Sequence, residues 1–252
     1  MSAEPILRVR GLTKRYGALV VSDNLELEIA EGELHAVIGP NGAGKTTFIA
    51  QIAGQLLPDG GEIWFRGKEI AQARPPERAR AGIARSFQIT SIFPTFTAEA
   101  NVALAVQGRR PHSFRFWRPA DRISELIEPA RKLLSEVGLG KRMGTQAAIL
   151  SHGERRLLEI AIALAQQPRL LLLDEPMAGL GSEESAQVIE FLRSLKRRYS
   201  ILLVEHDMDA VFALADRISV LAAGRLIATG APADIRRNRD VRTAYLGDDA
   251  LI

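Results

Sequence analysis

A glycine-rich segment in the first fifth of the chain carries the clearest chemistry. Residues 39–46 read G-P-N-G-A-G-K-T, which matches the phosphate-binding pattern G-x-x-x-x-G-K-[ST]. The glycines allow a tight turn whose backbone N–H groups point at phosphate oxygens, and a following helix adds the positive end of its dipole. Lys45 is expected to pair with the β- and γ-phosphates, and the Thr46 hydroxyl to ligate Mg²⁺. The segment predicts a nucleoside triphosphate site.

A pair of acids supplies the partner that such a loop needs. Four leucines at residues 170–173 are followed directly by Asp174 and Glu175. An apolar strand that ends in acid places Asp174 at the carboxyl edge of a sheet, where open α/β folds bind ligands. There Asp174 is expected to hold Mg²⁺, directly or through water, and Glu175 to orient and polarise an attacking water.

Buried strands and helices are predicted to position these groups. Short apolar runs without alternation predict strands at residues 34–38, 170–173 and 201–204. The phosphate loop is expected to lead into a helix over residues 47–56. Another helix is expected to begin with Ser182 as its N-cap, to carry Glu183 and Glu184 in its first turn, and to reach about Arg198.

Other segments show the pattern of half-exposed strands. Apolar and polar residues alternate at 25–29 and 63–66, which indicates a small antiparallel sheet beside the nucleotide core. Residues 218–221 and 225–228 flank an Ala-Gly pair like the arms of a hairpin. Strand–helix alternation of this kind predicts an α/β fold with a mainly parallel sheet and helices on both faces.

The middle of the chain has a helical pattern instead. Between residues 88 and 140 the clearest helical stretches are 99–106 and 123–137, and a further helix is expected over 154–166. A basic and aromatic run bounded by proline occupies residues 108–119. It is either a solvated excursion whose aromatic side chains pack back on the domain or a contact with a membrane partner or lipid headgroups.

Composition excludes several classes of function. The 252 residues include 33 basic and 30 acidic side chains, and a net charge of +3 is too small to argue for nucleic acid. There is no cysteine, which excludes disulfides, thiolate metal sites and cysteine nucleophiles. The N-terminal residues lack the pattern of a signal peptide, and no run approaches the ~18 apolar residues of a membrane helix. We therefore expect a soluble chain that another subunit would hold at any membrane.

The order of motifs resembles the ATP-binding subunit of ABC transporters over nearly the whole chain. Residues 86–88 are similar to the Q-loop of that family, 150–154 to its LSGGQ signature, 177–181 to its D-loop, and 204–207 to its switch-histidine segment. Each pattern alone is weak, but all of them in the correct order, with the phosphate loop and the acidic strand, are specific. The resemblance implies a P-loop (RecA-like) core with an antiparallel β subdomain and an inserted α-helical subdomain.

The resemblance also implies roles for individual residues. Glu175, His206 and Gln88 would be catalytic, and Thr46, Gln88 and Asp174 would hold Mg²⁺. The residues implied to bind ATP are Tyr16, Gly39, Asn41, Gly42, Gly44, Lys45, Thr46, Thr47, Ser151 and Gly153. Tyr16 would stack on adenine. Ser151 and Gly153 would complete the site of an opposite subunit, because the family pairs two cassettes head to tail around two nucleotides.

We predict a single ABC ATPase domain with three parts. Residues 1–87 and 155–230 would form the nucleotide-binding core with its β subdomain, 88–154 the helical and signature subdomain, and 231–252 a C-terminal tail.

Two positions depart from the family pattern. His152 replaces the first glycine of the signature, which we expect to be tolerated, and Gly181 replaces the acid or amide that often ends the D-loop.

The C-terminal residues narrow the resemblance. Residues 234–247 look like the tail of the ATPases that serve importers of branched-chain (hydrophobic) amino acids, a group whose relatives also serve urea, amides and aromatic acids. The implied partners are a second ATPase subunit, identical or related, two transmembrane permease subunits and, indirectly, a periplasmic or extracellular solute-binding protein, but no nucleic acid. The implied location is the cytoplasmic face of the inner membrane, as a peripheral protein.

Two other classes of function remain as alternatives. A soluble ABC ATPase acting on ribosomes or nucleic acid usually carries two cassettes or a long coiled coil, and this chain has one cassette and no heptads. A P-loop kinase or GTPase is disfavoured by the signature and by the lack of an N-K-x-D guanine-reading sequence.

Overall fold

The computed structural model describes residues 4–86, 92–109 and 124–246. The strands are β1 (Leu7–Tyr16), β2 (Leu19–Ile29), β3 (Leu34–Ile38), β4 (Gly60–Phe65), β5 (Lys68–Glu69), β6 (Ile83–Arg85), β7 (Leu170–Asp174), β8 (Ser200–Val204), β9 (Arg217–Ala222) and β10 (Arg225–Gly230). The helices are α1 (Lys45–Ala53), α2 (Pro75–Ala81), α3 (Ala98–Gly108), α4 (Ser124–Glu136), α5 (His152–Ala165), α6 (Ser182–Leu195), α7 (Met208–Leu214), α8 (Pro232–Arg237) and α9 (Arg239–Leu246).

The larger sheet has six strands in the order β10-β9-β3-β8-β7-β6. Every neighbouring pair from β9 to β6 is parallel, and β10 joins β9 as an antiparallel edge. Strands β3, β7 and β8 are buried along their whole length. Continuous apolar runs are typical of parallel strands covered on both faces. The strands predicted from the apolar runs and the predicted C-terminal hairpin are confirmed.

The smaller sheet is antiparallel, with the order β2-β1-β4-β5. Its apolar face shares a core with α1, whose Phe48, Ile49 and Ile52 are buried together with Leu7 and Val9 of β1. Helix α1 is therefore covered by one sheet on each side. A P-loop fold with a mainly parallel core and an added antiparallel sheet is confirmed.

The two faces of β7 belong to different cores. Leu170 and Leu172 pack in the core that contains α1, whereas Leu171 and Leu173 pack in the core on the opposite side of the sheet. Side chains alternate along a strand with a period of two. Asp174 therefore belongs to the α1 side, at the carboxyl end of the strand, which is the end from which the phosphate loop also emerges.

Helices α3, α4 and α5 pack against one another beyond this sheet. Within this group Asn101 accepts a hydrogen bond from the Phe93 backbone and donates to the Phe93 and Thr97 carbonyls. The limits of the subdomains stay predictions, and the one between 154 and 155 falls inside the continuous helix α5. The basic and aromatic run lies outside the described residues except for its first two, 108 and 109. None of the described helices is long and apolar enough to cross a lipid bilayer.

The start and end of α6 differ from the prediction. Gly181, rather than Ser182, is the N-cap, and it makes no side-chain capping bond. Ser182 already has helical backbone geometry, so the hydroxyl that was expected to cap lies one residue too late. The helix ends at Leu195 instead of Arg198, because Lys196 leaves the helical conformation with ψ of 145°, and Arg197 follows it in a left-handed conformation with φ of 69°. Glu183 and Glu184 do lie in the first turn, as predicted.

Candidate active site

The loop between β3 and α1 closes tightly against neighbouring backbone. A Cβ atom at Gly39 would lie 2.0 Å from the Leu221 carbonyl oxygen, and one at Gly44 would lie 2.4 Å from the Val21 carbonyl oxygen. Gly44 also has φ of 106°, which L side chains rarely adopt. Glycine is therefore required at both positions by the packing of the loop itself.

Helix α1 begins directly at the end of this loop. Its N-cap is Gly44, which has no side chain and forms no side-chain capping bond. The N–H groups of a first helical turn have no intrahelical partners, and the helix dipole makes this end positive. Asn41, Gly42 and Thr46 are exposed around the same opening, and Thr47 is half-buried. The arrangement has the chemistry that binds an anion at a helix N-terminus.

Lys45 is folded over the loop that precedes it. Its Nζ donates to the Gly39 carbonyl at 2.8 Å and to the Pro40 carbonyl at 3.1 Å. Burial lowers the pKa of Lys45, and the nearby carboxylates of Glu175 and Asp174 act in the opposite direction. The ammonium is thus held within the loop by neutral acceptors, which a phosphate group would replace with charged ones.

Asp174 is fully buried at the end of β7 and pairs with an arginine. Its Oδ2 accepts from Nη2 of Arg85 at 2.7 Å. Burial raises the pKa of Asp174, while the Arg85 guanidinium works to lower it. Oδ1 is buried and has no hydrogen-bond partner among the described residues. A buried oxygen without a partner is costly, so this atom is available for a ligand.

These residues fit a magnesium ion. Mg²⁺ is usually held by one or two protein oxygens together with water and substrate phosphates, not by a cage of protein ligands. The orphaned Oδ1 of Asp174 and the hydroxyl of Thr46 supply such oxygens. Within the described ranges no group of three or more His, Cys, Asp or Glu side chains could hold a metal ion.

Glu175 follows β7 in a strained backbone conformation. Its φ is 47°, in the left-handed region that a non-glycine residue enters at a cost of about 1–3 kcal/mol. The backbone around it is held on both sides: its N–H donates to the Val204 carbonyl at 2.8 Å, and its carbonyl accepts from Nη2 of Arg156 at 3.2 Å. The side chain remains partly exposed at the carboxyl edge of the sheet.

His206 lies beside Glu175 after the end of β8. Its Nδ1 is 3.7 Å from Oε1 of Glu175 and 3.7 Å from Oε2 of Glu205, and 56% of its side chain is exposed. Glu205 is fully buried, and its carboxylate accepts from the backbone N–H groups of Met177 and His206. It therefore connects the D-loop to the histidine segment. The ring of His206 is close to Glu175 and accessible to a ligand.

Tyr16 ends β1 at the tip of the hairpin with β2. Tyr16 is the Cα partner of Leu19 across the turn and is 52% exposed, and Lys14 Nζ lies 5.8 Å from the centroid of its ring. Val21, two residues beyond Leu19, contacts the phosphate loop at Gly44. The half-exposed ring therefore lies on the strand that borders the loop.

Ser151 and Gly153 begin α5 and share an internal partner. Ser151 is the N-cap of α5 and forms a capping box with Glu154. The Ser151 hydroxyl donates to Oε1 of Glu184 at 3.0 Å, and the Gly153 N–H donates to the same oxygen at 3.1 Å. The bonds from the Gly153 N–H and the Ser151 hydroxyl lower the pKa of Glu184. The signature donors thus already bind a carboxylate.

The described structure gathers most of the predicted residues at one edge of the sheet. The phosphate loop, Asp174, Glu175 and His206 follow β3, β7 and β8, which are adjacent strands. Ser151 and Gly153 belong to a different surface, and no hydrogen bond among the described residues joins them to the phosphate loop. Gln88 lies outside the described residues, so its role stays a prediction.

Sequence reasoning missed three carboxylate contacts. Arg85 binds Asp174, Glu205 holds the backbone of the histidine segment, and Glu184 holds the signature donors. Glu205 stood within the predicted histidine motif, and Arg85 directly precedes the Q-loop motif. Glu184 was predicted only as a first-turn residue of a helix. The contacts of Arg85 with Asp174, of Glu205 with Met177 and of Glu184 with Ser151 have no local pattern, because the partners are 89, 28 and 33 residues apart.

A phosphate loop after β3, a buried aspartate at the carboxyl end of β7 in the same sheet and an adjacent acid are together typical of a P-loop nucleotide hydrolase. Residues 22–178 match the family model described as ABC transporter, and residues 225–250 match the model described as branched-chain amino acid ATP-binding cassette transporter. The chain therefore belongs to the ABC transporter family, as an ATP-binding cassette that hydrolyses ATP.

Relatives cover nearly the full chain. The high-affinity branched-chain amino acid transport ATP-binding protein LivG of Salmonella typhimurium is 38% identical over 253 residues, 98% of this chain and 99% of that protein. The corresponding protein BraF of Pseudomonas aeruginosa shows the same 38% identity over 253 residues, with the same coverage. The fructose import ATP-binding protein FrcA of Rhizobium meliloti is 38% identical over 238 residues, 93% of this chain and 91% of that protein.

Solved structures of ATP-binding cassettes share the fold of this chain. A nucleotide-free ATP-binding cassette from an ABC transporter superimposes with a TM-score of 0.85 at 28% identity, covering 97% of this chain and 100% of that one. The ADP conformation of MJ1267, an ATP-binding cassette of an ABC transporter, gives a TM-score of 0.86 at 28% identity, covering 98% and 100%.

Proposed function

We propose that this chain is the ATP-hydrolysing subunit of an importer for branched-chain amino acids. The observation that carries the cargo assignment is the match of residues 225–250 to the C-terminal model of branched-chain amino acid cassettes. Full-length similarity to LivG and BraF supports it. Similarity to the fructose protein FrcA is just as high in identity, so overall identity does not choose the cargo.

The nucleotide would lie on the phosphate loop with its triphosphate toward the start of α1. Lys45 would exchange its Gly39 and Pro40 carbonyl partners for phosphate oxygens, and the loop and first-turn N–H groups would bind the remaining ones. The exposed ring of Tyr16 would stack on the base. Thr46 and the free Oδ1 of Asp174 would hold Mg²⁺, which would neutralise charge on the β- and γ-phosphates.

Glu175 would accept a proton from the water that attacks the γ-phosphate. Its strained backbone fixes the position from which the side chain extends, and the side chain is accessible at the edge of the sheet. His206 would hydrogen-bond the γ-phosphate or that water, because its ring is both exposed and 3.7 Å from Glu175. Glu205 would keep the histidine segment in place through its backbone bonds.

The signature of one subunit would complete the nucleotide site of another. Ser151 and Gly153 present a hydroxyl and an N–H group at a helix N-terminus, which are suitable donors for phosphate. In the single chain both are bound by Glu184, whose carboxylate occupies the place that a phosphate would take. ATP-driven pairing therefore requires Glu184 to release them. The pair would be a homodimer or a heterodimer with a related ATPase subunit.

The remaining partners would be two permease subunits and, through them, a periplasmic or extracellular solute-binding protein. The cassette would be peripheral on the cytoplasmic face of the inner membrane. An apolar surface suited to a permease is formed by Phe93, Phe96 and Ile149, which are 54%, 43% and 72% exposed. The rings of Phe93 and Phe96 stack with centroids 5.3 Å apart. Exposed aromatic groups of this kind commonly mark protein contacts.

Reconstitution tests the proposed function directly. The chain is combined with its two permease subunits and the solute-binding protein in proteoliposomes, and uptake of leucine, fructose and urea is compared with ATP inside. We expect ATP-dependent leucine uptake that is lost with Lys45→Ala. Uptake of fructose or urea without leucine would contradict the cargo assignment, and failure to associate with any permease would favour the soluble alternative.

A further inference from the structure

Arg85 is the residue that restrains the buried carboxylate of the candidate active site. Its Nη2 donates to Oδ2 of Asp174 at 2.7 Å, and its Nη1 donates to Oε1 of Gln55. Only 9% of the Arg85 side chain is exposed, and Asp174 has no exposed surface. One guanidinium therefore connects β7 to Gln55, which lies two residues beyond the end of α1.

The register of the sheet explains why this pair forms. Arg85 is the Cα partner of Leu172 in the parallel ladder between β6 and β7. Asp174 is two residues beyond Leu172 and therefore belongs to the same face, the face that packs on α1. The backbone N–H of Ser86 donates to the Leu172 carbonyl at 2.9 Å and fixes the end of β6 at this position. An arginine side chain is long enough to span the two-residue offset.

The bond to Arg85 differentiates the two oxygens of Asp174. Oδ2 is engaged by a charged donor, whereas Oδ1 is buried without a partner among the described residues. A carboxylate restrained through one oxygen cannot turn freely, so the direction of the other oxygen is set. We propose that Arg85 is a positioning residue that holds Asp174 by Oδ2 so that Oδ1 is presented to the Mg²⁺ of the bound nucleotide.

This proposal depends on the proposed magnesium site and adds a residue to it. Arg85 does not touch nucleotide or metal in the arrangement described; it acts through Asp174. A merely structural ion pair would stabilise the fold without changing how the nucleotide responds to the metal. The two roles can therefore be separated by comparing nucleotide binding with and without Mg²⁺.

The test uses Arg85→Met and Arg85→Lys, with Arg78→Lys as the matched control. Arg78 is fully buried, and its guanidinium binds backbone carbonyls, including those of Gln51 and Ile52 at the end of α1, and not Asp174. The measurement is equilibrium binding of a fluorescent ATP analogue in EDTA and in excess Mg²⁺, together with the thermal unfolding temperature of each variant.

We expect Arg85→Met to reduce the enhancement of binding by Mg²⁺ about tenfold, the effect of losing one charge-assisted contact. Affinity in EDTA should stay within about twofold of the wild type, because the phosphate loop is intact. Arg85→Lys should keep part of the enhancement, since an ammonium retains the charge but not the two-pronged geometry. Arg78→Lys should lower the unfolding temperature and leave the enhancement unchanged.

A double variant tests whether Arg85 acts through Asp174. In an Asp174→Asn background, Arg85→Met should cause no further loss of Mg²⁺ enhancement, because both changes act on one carboxylate. Wild-type enhancement in Arg85→Met and Arg85→Lys, or losses that add to those of Asp174→Asn, would overturn the positioning role. A wild-type chain whose nucleotide binding ignores Mg²⁺ would overturn the proposed metal site, and this proposal with it.

Discussion

The hydrogen-bond donors of the phosphate loop and those of the signature differ in the partners they contact in this structure. At the phosphate loop, Gly39 and Gly44 press against backbone carbonyl oxygens, and Lys45 donates to carbonyls of its own loop. At the signature, Ser151 and Gly153 donate to a side-chain carboxylate, that of Glu184. The first region is closed by main chain, and the second by a single flexible side chain.

The difference shows how one fold can combine a permanent site with a conditional one. Backbone contacts cannot be exchanged without moving strands, so the phosphate loop keeps its shape in the absence of nucleotide. A carboxylate on the first turn of a helix can swing away and leave its donors to another anion. We expect the phosphate loop to bind nucleotide in the single chain, and the signature to do so only when a second subunit brings phosphate to it.

The largest effect should come from Glu175→Gln at the preformed end. The attacking water loses its base, and general-base catalysis contributes about 10²–10⁴-fold to rate, so turnover should fall by about that factor. Nucleotide affinity should persist because Lys45 and Thr46 are unchanged. The measurement is phosphate release at saturating ATP and Mg²⁺, with the exposed Glu183→Gln as control. Wild-type turnover by Glu175→Gln would show that Glu175 is not the base for the attacking water.

Lys45→Ala should weaken nucleotide binding itself. Truncating one partner of a charge-assisted contact costs about 2 kcal/mol or more, which corresponds to about a 30-fold or larger loss of affinity. Titration with a fluorescent ATP analogue measures it, and Lys132→Ala on the exposed surface of α4 serves as the control. Unchanged affinity of Lys45→Ala would contradict the assignment of the phosphate loop.

Two glycine substitutions test whether the phosphate loop is packed more rigidly than the signature. A methyl group at Gly39 meets a backbone oxygen at 2.0 Å, so Gly39→Ala should lower the free energy of unfolding by about 1–3 kcal/mol. At Gly153 a methyl group meets three side-chain atoms of Glu184, including its Cβ, at 3.0 Å and no backbone oxygen among its nearest neighbours, so α6 has to shift only slightly. Gly153→Ala should therefore be destabilised less than Gly39→Ala. Urea unfolding measures both, and equal destabilisation would show that the signature is as rigid as the loop.

The smallest effect should follow from Glu184→Gln. A neutral amide is a weaker acceptor than a carboxylate, so the signature donors should be released more easily. We expect the ATP concentration for half-maximal pairing of subunits to fall about threefold. Light scattering during an ATP titration, in the Glu175→Gln background that prevents turnover, gives this value. An unchanged or higher concentration, relative to Glu183→Gln, would show that Glu184 does not compete with phosphate.

The sequence predicted those parts of the fold and site that depend on residues close together in the chain. A glycine-rich loop between strand and helix, and a leucine strand ending in Asp174, need only near neighbours to be recognised. The contact of Arg85 with Asp174 spans 89 residues, and that of Ser151 with Glu184 spans 33, and no periodicity signals either one. The N-cap of α6 was misplaced by one residue because serine and glycine are both common caps, and the backbone geometry decides between them.

The central claim, that the signature of one subunit faces the phosphate loop of another, is tested most directly by crosslinking. The chain contains no cysteine, so Asn41→Cys and His152→Cys can be introduced in differently tagged subunits, both at exposed positions. Gly39 is unsuitable because any side chain there would meet the Leu221 carbonyl. In the Glu175→Gln background, with ATP and Mg²⁺, we predict a crosslink between the two tags that is absent without ATP and with Lys45→Ala. No crosslink with ATP, or one of equal yield without it, would contradict the head-to-tail pair.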